Sequence, residues 1–161
     1  MKNREKELLF QLLKNSKLSD REIAKRLNTS QSTITRNRHK LERKFIKSYT
    51  IVPNLSKLSI KLIAFTLGKC SAPTEKWLET VKGFIEKQPN IIFVGFGEGM
   101  GKTGIMISFH NDFSDYTEFM RKSRLACKES GMTLESFIVP TDKLLRTLIM
   151  ANAVEYLVKK E

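Results

Sequence analysis

The residue order predicts an α+β chain in two parts, a trio of short helices followed by a βαββαβ unit and one further C-terminal helix. Apolar residues recur at helical spacing up to about Lys44, then give way after residue 60 to short β-compatible runs alternating with two helical stretches. A broad apolar helical pattern returns after residue 140. The 161 residues accommodate two small domains, which the pattern places at 1–52 and 61–161 with a linker at 53–60 carrying Asn54, Ser56 and Ser59.

Charge separates the two parts. The chain has a formal net charge of +12, and residues 1–50 hold 14 of the 29 Lys and Arg against 5 of the 17 Asp and Glu. Such concentration points to a surface that faces a polyanion. Apolar runs are too short to span a bilayer. The charged opening of the chain argues against a secretory leader, and the expected setting is cytoplasmic. Cys70 and Cys127 stand far apart without His or Cys at metal spacing, so reduced thiols are expected, with no metal and no cofactor.

In the first part, Leu8, Leu9, Leu12 and Leu13 lie at helical spacing, and Asn15-Ser16-Lys17 breaks that helix. Ser19-Asp20-Arg21-Glu22 fits a capping box for a second helix that turns Ile23, Ala24 and Leu27 to one side. Asn28-Thr29 supplies a turn, and Ser30 caps a third helix with Ile34 and Leu41 facing inward. Residues 46–52 alternate at period two and are expected as a strand or wing.

Two helices joined by so short a turn have the spacing of a helix-turn-helix, whose second helix enters the major groove of double-stranded DNA. Gln31, Ser32, Thr33, Thr35 and Arg36 are then the candidates for base contact. Lys25, Arg26, Arg38, Lys40, Arg43 and Lys44 are the candidates for phosphate contact, which adds affinity without sequence information.

Residues 62–67, 91–96, 105–109 and 134–139 read as strands, and helices are expected from Pro73-Thr74 to Pro89 and over 113–129, with Gly131 ending the latter. This order is the split βαβ arrangement of the ferredoxin-like fold, whose second sheet face needs a cover that self-association supplies. A terminal helix capped by Thr141 or Asp142 is expected over 141–160, with Leu144, Leu145, Leu148, Ile149, Ala151 and Leu157 on one face, packing on its domain or clasping a partner subunit. Gly101-Lys102-Thr103 echoes a phosphate loop, but that pattern needs glycine where Phe96 stands, and the segment leads into a strand. His39 and His110 are the two histidines, with no nucleophile evident beside either and no catalytic residues expected.

The segments Leu12-Leu13-Lys14-Asn15-Ser16-Lys17-Leu18-Ser19, Glu22-Ile23-Ala24-Lys25-Arg26-Leu27, Lys40-Leu41-Glu42 and Ile46-Lys47-Ser48-Tyr49-Thr50 resemble the DNA-binding domain of the Lrp/AsnC (feast/famine) transcriptional regulators. Pro89-Asn90-Ile91, the glycine hairpin and residues 112–119 extend the resemblance into the second domain. Two departures stand out: the glycine usual before Phe45-Ile46 is missing, and Arg38 occupies an inner slot that is normally apolar. The resemblance implies a winged helix-turn-helix transcription regulator acting as a dimer or higher homo-oligomer. It also implies an amino-acid effector at the hairpin, where Gly99, Gly101, Lys102, Thr103 and Gly104 would receive a carboxylate. A haem-pathway decarboxylase on the same fold, using His110, and a sequence-tolerant DNA architectural protein are the alternatives.

Overall fold

The computed structural model describes residues 1–70, 74–128, 131–146 and 150–158. They form two compact units, residues 1–52 with the C-terminal helix, and residues 53–145.

In the first unit, α1 (Asn3–Lys14), α2 (Asp20–Arg26) and α3 (Gln31–Lys44) fall where the sequence places them. Their starts are set by side chains that satisfy the unpaired amides of a first helical turn. The Ser19 amide donates to Glu22 Oε2 at 2.8 Å and the Glu22 amide to Ser19 Oγ at 3.2 Å, completing the capping box. Ser30 Oγ accepts from the Thr33 amide at 3.2 Å. Asn28 takes a positive φ of 48° in the turn between α2 and α3, a conformation that asparagine adopts more readily than most residues. Leu8, Leu12, Leu18, Ile23, Ala24, Ile34 and Leu41 then close one small core.

Arg38 turns into this unit instead of toward solvent. Its Nη2 donates to the Leu18 carbonyl at 2.9 Å, and its Nε lies 2.6 Å from Asp20 Oδ1, a close ionic contact with an angle unsuited to a hydrogen bond. Thr35 Oγ1 donates to the other oxygen of Asp20 at 2.6 Å. The first residue of α2 therefore holds two positions of α3, and the partial burial of the pair strengthens the attraction.

The strand expected over 46–52 is not formed. Ile46 packs against the core and its amide donates to the Leu41 carbonyl at 2.9 Å, the Tyr49 hydroxyl donates to Glu42 Oε1, and Ile51 and Val52 are exposed. An isolated extended segment has no neighbour to complete its ladder. The C-terminal helix also differs from expectation. Thr141–Lys143 is a single 3-10 turn, and the Thr141 hydroxyl donates to the Ile60 carbonyl instead of capping a helix. Helix α6 (Met150–Val158) begins later and packs on α1 in the first unit, although the sequence groups it with the second domain. Lys6 Nζ donates to the Val158 carbonyl at 3.2 Å, and Lys14 pairs with Glu155 at 2.8 Å. Ala151 is buried there, whereas Leu145 and Leu157 are exposed; Leu148 and Ile149 lie outside the described residues.

The second unit runs β1 (Leu62–Lys69), α4 (Glu75–Glu86), β2 (Ile91–Gly99), β3 (Lys102–His110), α5 (Phe113–Ala126) and β4 (Thr133–Pro140). The strands pair antiparallel in the order β2-β3-β1-β4, the ferredoxin-like arrangement. Thr74 and Asp112 cap the two helices. Helix α5 ends before residue 129, and Gly131 takes its left-handed conformation beyond that end. Alternation along the strands gives the sheet two apolar faces. Ala64, Met106, Leu134 and Ile138 meet Tyr116, Phe119 and Met120 under the helices. Phe65 pairs with Ile107 and Phe137, and Phe93 with Ile107, so these four share the opposite face.

His110 and Ser108 lie two residues apart on β3 and are both fully buried on the helix side. Ser108 Oγ and His110 Nε2 are 2.8 Å apart, while Nδ1 is 3.6 Å from Asp115 Oδ2. Burial pushes the imidazole below its ordinary value of 6.5, and Asp115 offsets this only in part. The unfolded chain therefore binds this proton more readily, so His110 contributes stability above about pH 6.5 that is lost as the pH falls.

Two outcomes are expected. Asp20→Ala should destabilise the first unit by about 2 kcal/mol in urea titration, because the Arg38 guanidinium keeps its partial burial without its carboxylate. Between about pH 7.5 and about pH 5.5 the melting temperature should fall, and His110→Gln should flatten that slope. Equal slopes in wild type and variant would show that His110 has no part in it.

Candidate nucleic-acid interface

Burying Ile34 and Leu41 and turning Arg38 inward forces the opposite side of α3 outward, since residues three and four apart share a helix face. Gln31, Ser32, Thr35, Arg36, His39, Lys40 and Arg43 border one shallow open depression along that side. Gln31, Ser32 and Arg36 are exposed at the leading half. Lys40, Arg43 and Lys44 are exposed at the trailing half, and Lys2 joins these three around a second groove. The leading end also carries the positive pole of a 14-residue helix.

The sequence candidates divide on this geometry. Ser32 and Arg36 project from the exposed stripe, with Gln31 beside them at the first turn. Thr33 is turned back into the cap, its hydroxyl 2.8 Å from Ser30 Oγ. Thr35 borders the depression, but its hydroxyl is committed to Asp20, which leaves its methyl for any contact with a partner. Lys25 and Arg26 are exposed on α2, where Arg26 Nη1 also donates to Gln11 Oε1 at 3.3 Å. Arg38 does not belong with the phosphate candidates, because its guanidinium is spent on Asp20 and the Leu18 carbonyl. His39, which the sequence marks only as a surface or phosphate-facing residue of the third helix, borders the depression four residues before Arg43. Sequence reasoning omitted Lys2 from the surface. Lys2 has no spacing signal, because only the packing of α1 brings it to Lys44.

His39 Nδ1 lies 3.3 Å from Glu42 Oε2, and Glu42 also accepts from Tyr49. Burial, then Glu42, raises the Tyr49 hydroxyl above its ordinary 10, so it stays a donor at neutral pH. The basic stripe is thereby bounded by an acidic residue whose own partners are local.

The hairpin candidates are arranged differently from the sequence expectation. Met100 and Gly101 both take positive φ, 54° and 69°, and close a two-residue turn of the kind that matches strand twist. Gly99 pairs with Lys102, and Gly104 pairs with Phe96 on one side and Gly68 on the other, so the ladder takes up backbone expected to be free. Lys102 Nζ is bound to Glu135, and Thr103 Oγ1 accepts from the Cys70 amide at 2.9 Å. Contrary to expectation, a nucleophile does stand beside a histidine, Ser108 beside His110. Both are sealed in the core, where a nucleophile has no access to a substrate. Among the described residues no cluster of His, Cys, Asp and Glu could hold a metal, and no helix is long and apolar enough to cross a membrane.

Residues 1–44 match the family model for winged helix-turn-helix DNA-binding. An uncharacterised HTH-type transcriptional regulator from Pyrococcus abyssi is 34% identical over 98 residues, which covers 60% of this chain and 62% of that protein's length. The transcriptional regulator NMB0573 of Neisseria meningitidis, solved in complex with L-Met, superposes with a TM-score of 0.80 at 18% identity over 92% of this chain and 95% of its own. An AsnC family transcriptional regulator from Agrobacterium tumefaciens gives a TM-score of 0.78 at 15% identity over 91% and 94%. The chain thus has the two-part fold of the Lrp/AsnC regulators, a helix-turn-helix domain that matches the winged model although no wing strand forms over 46–52, followed by a ferredoxin-like domain and an additional C-terminal helix.

Proposed function

We propose that this chain is a sequence-specific transcription regulator of Lrp/AsnC type, acting on double-stranded DNA in the cytoplasm as a dimer or a multiple of dimers. The observation that carries the reading is the outward stripe of α3, polar at its leading end and basic along its length. Gln31, Ser32 and Arg36 face the base edges, with Arg36 suited to the paired acceptors of guanine. Lys25, Arg26, Lys40, Arg43 and Lys44 neutralise phosphates on either side.

The second sheet face supports the oligomer. Phe137 and Phe93 are 72% and 50% exposed there beside Phe65 and Ile107. A second copy of the same face covers such a surface by two-fold symmetry. An amino-acid effector is supported by the Neisseria neighbour solved with L-Met. Here Lys102 must release Glu135 before it meets an effector carboxylate, and absence of heat on titration with the twenty amino acids would remove the idea.

Gel-shift titration of variants on the best-bound duplex and on a scrambled one tests the DNA roles. Arg36→Ala should lose about tenfold or more on the preferred duplex and little on the scrambled one. Arg43→Ala should weaken both alike and lower the salt slope by about one phosphate, ~0.9 log units per log unit of salt. Swapped outcomes would refute the assignment. Phe137→Asp should convert the assembly to monomers in sedimentation velocity, and an unchanged sedimentation coefficient would place the subunit contact elsewhere.

A further inference from the structure

Helix α4 lies loosely on the sheet. Of its apolar residues only Trp77 is fully covered, while Val81, Phe84 and Ile85 are half-buried. Beneath it is a cavity of about 70 Å³, reached from α4, α5 and all four strands. Met132 forms a movable wall at one end, where its side chain lies over Gly68 so closely that a Cβ there would sit 2.0 Å from its Cε. Phe96 forms the other, with its ring 6.1 Å from Trp77 and two thirds exposed.

The two hydroxyls that line this space among the described residues are spent. The Thr66 hydroxyl is 2.8 Å from Ser136 Oγ, and the Ser123 hydroxyl donates to the Phe119 carbonyl at 2.9 Å. The indole N–H of Trp77, a residue 91% buried (9% exposed), finds no acceptor among the described residues. A buried donor left this way is unfavourable, and an acceptor inside the cavity would offset that cost. No charged residue lines the space among the described residues. A carboxylate or an amino-acid zwitterion would be desolvated there without a partner, so the occupant must be uncharged.

We propose that this cavity is a binding site for a small neutral molecule, mostly apolar and carrying one hydrogen-bond acceptor, such as a carbonyl compound, held by the Trp77 indole N–H. An apolar cavity of about 150 Å³ takes up benzene, so this one suits roughly three non-hydrogen atoms, and a larger ligand such as 2-butanone enters only as Met132 yields. The cavity lies within the second unit and shares Gly104 with the hairpin candidates, but not Gly99, Gly101, Lys102 or Thr103.

Trp77 is the one tryptophan in the sequence, so its indole resonance reports on this cavity alone. The test is a titration of the full-length chain with 2-butanone, followed by the indole cross-peak in a proton–nitrogen correlation spectrum. The indole proton should move downfield and saturate in the range of about 1 mM or above, as befits a ligand of so few atoms. Ala126→Leu, which fills the wall contributed by α5, should weaken the effect tenfold or more, and L-valine should leave the resonance in place. A shift in wild type that stays linear to the highest concentration, or none at all, overturns the site without recourse to the variant. Saturation by L-valine overturns the neutral class.

Discussion

The seating of α3 on α2 is the constraint on which the rest of the structure depends. A helix of 14 residues with only Ile34 and Leu41 fully buried has little apolar surface to fix its rotation. Ala24 keeps the crossing close, and Asp20 ties Thr35 and Arg38 from a single carboxylate. Those three contacts choose which side of α3 looks outward. Because Arg38 is consumed inward, the remaining cations of the helix are left on the solvent side with Ser32 and Arg36. The one departure from an apolar inner face is thus part of what orients the surface proposed to read DNA.

Much of the first unit was legible because its determinants are local. A capping box spans three residues, and inward positions repeat every three or four, so Ser19, Glu22, Ser30, Ile34 and Leu41 could be assigned without knowing the tertiary structure. What failed to show in the sequence depends on partners distant along the chain. The slot of Arg38 was visible, but its carboxylate lies eighteen positions earlier, so the side chain was read as a phosphate ligand. The alternating residues 46–52 look like a strand, yet alternation specifies only which sides are apolar and cannot provide a neighbour. Helix α6 was expected beside the domain that precedes it and instead packs on α1 through Lys6 and Lys14.

The second unit shows the same division. The strand order followed from the βαββαβ pattern, and that fold carries helices on one face only, which leaves Phe65, Phe93 and Phe137 on the other. Glycine content misled at the hairpin. Four glycines between Gly95 and Gly101 suggested an open loop, whereas only Gly101 needs its positive φ and the others sit in extended ladder. Glu135 reaches Lys102 from the far side of β1, a relation that no spacing encodes. The pair of Ser108 and His110, by contrast, was within reach of the alternation rule, since two positions apart on a strand share a face. Its complete burial explains why the pair contributes to the core and its pH response.

The central claim is that the outward stripe of α3 reads base edges. Selection of bound duplexes from a random-sequence library by the full-length chain tests it most directly. The account predicts a recovered motif with two inverted half-sites, their centres about one helical turn or a multiple of it (~34 Å) apart, as two-fold pairing requires. Recovery of duplexes with no shared motif, bound equally well whatever their sequence, would contradict it.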